Sequence, residues 1–204
     1  MKYNDSTIPF YPEIDDYLAS AAHLYGILPV EHFIYLMQKY NKTLEKTALN
    51  SPKFSAENRE YSFYIDNNHI ITRLCGKSVI ANVRRISLDI PYYEPSKVEL
   101  LRYRDRNYYP HSKESDMLLD FIHRRNSVSD DALQEMLCLL AIHFAARTPR
   151  NEWINVLQSY GISLNLPSDV GIFLRLSGQM CNNIRLWSNH GHTPNEVLAL
   201  RALS

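Results

Sequence analysis

Residues 181–196, CNNIRLWSNHGHTPNE, close one helix, turn and open another within a single short stretch, and the rest of the chain is read outward from them. Gly191 supplies the positive φ that a tight exit needs, because it has no Cβ to clash. Thr193-Pro194-Asn195-Glu196 reads as a capping box, with Thr193 as N-cap, Pro194 at the first helical position and Glu196 reaching back. Trp187 is large enough to anchor the corner by burial, and Asn182, Asn183 and Asn189 can tie loop backbone through their amides. This predicts a structural corner built on Trp187, Asn189, Gly191, Thr193 and Glu196, not a catalytic motif.

Upstream, the chain is mostly helix by pattern. Apolar residues at Ile14, Leu18, Ala21, Ala22 and Tyr25 predict an amphipathic helix that Gly26 stops. Pro29 opens a second, with Val30, Phe33, Ile34, Met37 and Tyr40 on one face, and Gly26-Ile27-Leu28 reads as the short joint between the two. Thr43 reads as the cap of a third, short helix ending near Leu49. Residues 61–65 and 69–74 are rich in β-branched and aromatic side chains, and Asp66-Asn67-Asn68 between them predicts a hairpin over about 61–74. Helices followed by a hairpin give the order of a winged helix-turn-helix.

After a short helix around 81–86 and an extended Pro91–Pro95 linker, Ser96-Lys97-Val98-Glu99 opens another helix. The remainder is helical: about 114–124, then a helix capped by Ser129, another restarted at Thr148-Pro149 and ended by Gly161. The last of this series is capped by Ser168, with a stripe running through Phe173 and Cys181 to Trp187. The expected fold is therefore α+β and mostly α. A winged-helix-like unit spans 1–110 and an all-α unit spans 111–204.

The totals narrow the function classes. Lysine and arginine number 22, aspartate and glutamate 22, so no global field draws the protein to nucleic acid or membrane. The charge is unevenly spread: residues 1–72 carry 6 basic against 9 acidic side chains (−3), 73–125 carry 11 against 7 (+4), and 126–204 carry 5 against 6 (−1). Cys75, Cys138 and Cys181 are sparse and form no CxxC, which points to reduced thiols in a cytoplasmic protein. The N-terminus has no apolar signal region, and no stretch approaches the ~20 apolar residues of a membrane span.

Three blocks carry a resemblance: LYGILPVEHF (24–33), YYEPSKVELLRY (92–103) and NNIRLWSNHGHTPNE (182–196). In this order they resemble uncharacterised Gram-positive bacterial proteins, many of which end in the small zinc-binding SEC-C motif. The resemblance covers roughly residues 10–200 and implies a shared fold and compartment. The chain has no cysteine after Cys181, so the zinc motif is missing and no metal or other cofactor is implied.

Arg73, Lys77, Arg84, Arg85, Arg102, Arg104 and Arg106 lie among Tyr92, Tyr93, Tyr103, Tyr108 and Tyr109. Guanidinium forks and stacking rings are what nucleic-acid surfaces use, although core tyrosines beside a solvated basic face explain the same residues. His190-Gly191-His192 offers two imidazoles, short of the three or four ligands a metal site needs. No GxSxG, GxxxxGK[ST], HExxH or GxGxxG occurs, and the Asp15-Asp16 and Asp130-Asp131 pairs suit helix N-termini. The sequence thus favours a non-enzymatic interaction or adaptor protein with a protein partner. A DNA- or RNA-binding regulator using the basic, Tyr-rich 73–125 region is the alternative, and a metal-dependent hydrolase ranks last.

Overall fold

Gly26 ends the first helix with φ +69°, and the three residues after it form a strand, not a simple joint between helices. The computed structural model describes residues 14–202. Helix α1 (Ile14–Tyr25) leads into β1 (Ile27–Pro29), α2 (Val30–Lys39), the four-residue α3 (Lys46–Leu49) and a 3-10 turn (Pro52–Phe54). The hairpin β2 (Phe63–Asp66) and β3 (His69–Thr72) follows. β1 pairs antiparallel with β3, giving the sheet order β1-β3-β2. This is the winged-helix order of helices and strands, with a much reduced third helix.

The hairpin is tighter than its sequence suggested. Asp66 pairs with His69, so the loop is Asn67-Asn68 alone, both at positive φ (44° and 62°), as a two-residue primed turn requires. Helix α3 starts after Glu45, with no side-chain cap, and not at Thr43.

Helices α4 (Lys77–Ile86), α5 (Lys97–Arg102), α6 (Lys113–His123), α7 (Asp130–Ala145), α8 (Arg150–Ser159), α9 (Pro167–Cys181) and α10 (Pro194–Ala202) complete the chain. Ser96, Ser112 and Ser129 cap α5, α6 and α7 through their hydroxyls. Helix α4 begins four residues before the expected 81, and both ends of α9 differ from expectation. The cap position of α9 is Leu166 with Pro167 following it, so Ser168 lies inside the first turn. The helix also stops at Cys181, and Trp187 sits in its own 3-10 turn (Trp187–Asn189) instead of continuing the stripe.

The sheet separates two cores. Along each strand successive side chains point to opposite faces. Leu28, Phe63 and Ile70 join α1, α2 and α5 in one cluster with Tyr17, Phe33 and Leu100. Ile27, Tyr64 and Ile71 face the other cluster, where α4 (Ile80, Val83) meets the C-terminal helices and Trp187. Burial on both faces explains why these strands read as continuous apolar runs rather than alternating ones. The packing therefore crosses residue 110: the N-terminal unit supplies a wall of the C-terminal core.

Candidate functional site

The corner predicted at residues 181–196 is closed by a buried indole, two close-packed glycines and a capping box. Trp187 is 1% exposed, and its indole Nε1 donates to the carbonyl of His23 at 3.0 Å. Its ring lies against Gly26, where a Cβ would come within 2.3 Å of it, so only glycine lets α1 end there. Gly191, at φ +83°, lies against the Tyr25 ring in the same way. The Thr193 box is complete: the Glu196 amide donates to Thr193 Oγ1 at 3.2 Å, and the Thr193 amide to Glu196 Oε2 at 2.9 Å.

Arg185, which the sequence reading did not single out, is the hub. Its side chain is 11% exposed. Nε and Nη2 donate to Glu99 Oε1 at 3.1 and 2.9 Å, and Nη1 donates to Glu196 Oε2 at 2.9 Å and to the Gly191 carbonyl at 3.0 Å. The guanidinium lies 3.4 Å over the Tyr93 ring, whose hydroxyl donates to the other Glu99 oxygen at 2.7 Å. Burial opposes the arginine charge, but Glu196, Tyr93 and Glu99 outweigh it and hold its pKa above the usual value. Burial and the hydrogen bond to Glu99 push the Tyr93 hydroxyl up to about 12. The signal in the sequence was an arginine two residues before Trp187, inside the corner stretch.

The same corner fixes the 88–93 segment. Leu88 and Tyr93 amides donate to the carbonyls of Ser188 and His190, and His190 Nδ1 donates to the Ile90 carbonyl at 2.8 Å. His192 Nε2 meets the Pro91 carbonyl at 3.1 Å. Both histidines of the His-Gly-His run are thus bonded to backbone oxygens. Among the described residues no group of three or more His, Cys, Asp or Glu could hold a metal ion.

The basic residues do not converge on one face ready for phosphate. Arg73 is half-buried and gives its guanidinium to the carbonyls of Phe63, Ser55, Ala56 and Asn58, over the Tyr64 ring. Arg104 pairs with Asp16 at 3.0 Å. Arg102 and Arg106 are exposed beside it, on cavity walls that also carry Asp16, Asp105 and Glu135. Lys77, Arg84 and Arg85 are exposed on α4, with Arg85 donating to Asn82. The tyrosines interleaved with them are used internally. Tyr103 and Tyr109 are buried, Tyr108 meets Tyr103 edge-on, and Tyr92 stacks on His190 at 4.1 Å and lies tilted 4.5 Å from His32. At the reduced third helix, Lys46 holds Glu31 at 2.6 Å; this bond and those from Asn68 depress the Glu31 carboxyl to about 2. A winged helix normally reads a groove with this helix, and here its first cation is committed to a carboxylate.

Nucleophile chemistry finds no support in the thiols. Burial pushes Cys75 up to about 12 and Cys138 to about 11, far from the range of reactive thiolates. All three cysteines are free.

One concave surface lay outside the sequence reading. Helices α6 and α7 diverge around a groove of about 560 Å³, floored by Met117, Leu119 and Leu133 and edged by Asp116, Asp120 and Asp130. Met117 is 42% exposed, a large apolar side chain partly open to water. The trace in the sequence was the run Met117-Leu118-Leu119-Asp120-Phe121-Ile122, whose apolar residues cover more of the helix than one core-facing stripe. Among the described residues no helix is long and apolar enough to cross a membrane. The chain matches no protein-family model, no curated protein and no solved structure, so the resemblance noted above rests on its three blocks alone.

Proposed function

We propose that this protein is a cytoplasmic, non-catalytic interaction module that holds a protein partner in the α6–α7 groove. The observation that supports this reading is the groove itself: an apolar floor with an exposed methionine, on two capped helices whose opposite faces are fixed in the core. Free thiols agree with a reducing compartment. A photo-crosslinking amino acid at position 117, compared with one at the exposed Gln158 of α8, tests the reading in the native host. A discrete adduct from position 117 and none from 158 is expected. Equal patterns from both positions, or none, would remove the groove as the docking face.

A second reading keeps nucleic acid as the ligand of α4. Lys77, Arg84 and Arg85 are exposed there and form no ion pair among the described residues, which leaves them available to phosphate. Fluorescence anisotropy with duplex DNA, single-stranded DNA and RNA at low and physiological salt decides it. An Arg84→Ala/Arg85→Ala variant that binds more weakly than wild type, with steep salt dependence, supports it; no binding at low salt ends it.

A further inference from the structure

The geometry points to a basic, amphipathic helical segment as the occupant of the α6–α7 groove, an inference that rests on the docking reading above. Seven of the nine residues lining the groove are exposed, so a small molecule lying in it would stay open to water. Small-molecule sites bury most of their ligand, and this surface does not. A macromolecular segment fits it better.

The shape selects a helix. The walls are two helices, α6 running for 11 residues, and no sheet edge borders the groove to add a strand. A helix in a groove presents apolar side chains at i, i+3, i+4 and i+7. Met117, Leu119 and Leu133 offer the complementary apolar strip.

The charge selects the class. The edges carry three carboxylates, Asp116, Asp120 and Asp130, against one lysine, Lys113. Asp116 and Asp130 are largely exposed, and the imidazoles of His111 and His123 stand 3.9 Å from them. Asp120 is shared with Arg124 one turn on, outside the groove lining. Lysine or arginine flanking an apolar helical stripe would satisfy the two outer carboxylates, whereas an acidic helix would be repelled.

The test uses the full chain and three labelled 14-residue peptides, read by anisotropy. One has leucine at helical spacing with lysine elsewhere. The second has the same composition in scrambled order, and the third has glutamate for lysine. The first is expected to bind at least tenfold more tightly than either control, with affinity falling as salt rises. Asp116→Lys/Asp130→Lys should weaken it at least tenfold, and Met117→Gln severalfold; thermal melts check that both variants, altered at exposed positions, stay folded. Equal binding of the lysine and scrambled peptides would reduce the effect to bulk charge and overturn the inference. Tighter binding of the glutamate peptide, still weakened by Met117→Gln, would overturn the basic class and keep the docking reading. Binding of none of the peptides overturns the inference, and the crosslinks from position 117 then decide the docking reading separately.

Discussion

At the scale of single residues, the corner depends on a few side chains with no substitutes. Arg185 serves two carboxylates, a carbonyl and an aromatic face at once, and its fork geometry cannot be copied by lysine. Arg185→Met leaves the carboxylates of Glu99 and Glu196 without the guanidinium that they share. We expect a loss of about 2–4 kcal/mol in urea unfolding, less than for a fully buried pair because Glu196 keeps contact with water. Arg185→Lys should recover part of that loss, not all. Gly26→Ala combines a strained φ with a Cβ driven into the indole ring, and should cost about 3 kcal/mol or more by overpacking. Histidines set the pH response. Burial lowers the pKa of His23, His32 and His143 below the usual 6.5. The unfolded chain therefore takes up protons near pH 6.5 while the folded protein still resists them, so stability rises with pH through that window. The melting temperature should hold above pH 7 and fall as pH drops from about 6.5 toward 5, with His23→Gln flattening the slope. A flat profile in the wild type would refute this account.

At the scale of elements, the legible parts were those written in local backbone chemistry. Thr193-Pro194-Asn195-Glu196, Ser96 and Ser129 all act within one turn of themselves, so their residues predict their geometry. Strand β1 was illegible because three residues after a glycine carry no period, and only pairing with β3 makes them a strand. The role of Arg73 was hidden for a similar reason: its partners are backbone carbonyls of the 55–58 loop, which composition does not record. The α6–α7 groove required two helices to be placed before its floor existed. The hairpin tip offers a direct check on element chemistry. Asn67 and Asn68 both hold positive φ, and the Asn68 amide also donates to Glu31, so Asn68→Gly exchanges that exposed bond for an unstrained turn and should stay within about 0.5 kcal/mol of wild type, whereas Asn68→Val loses both and should cost about 1–2 kcal/mol.

At the scale of the whole molecule, the sheet joins the two halves that the sequence pattern separates at residue 110. A fragment ending there would leave Ile27, Tyr64, Ile71, Ile80 and Val83 without the helices that cover them. We expect residues 1–110 alone to give poorly dispersed amide spectra and to aggregate, while the full chain unfolds in one transition by both tryptophan fluorescence and circular dichroism. A folded, monomeric fragment would show that the shared wall is dispensable. The same wall has a consequence for pairing fidelity. Neighbouring residues 27/28, 63/64 and 70/71 belong to opposite cores. A slip of β3 by one position against its neighbours would exchange the side chains of both cores together, so each compartment proofreads the alignment that the other depends on.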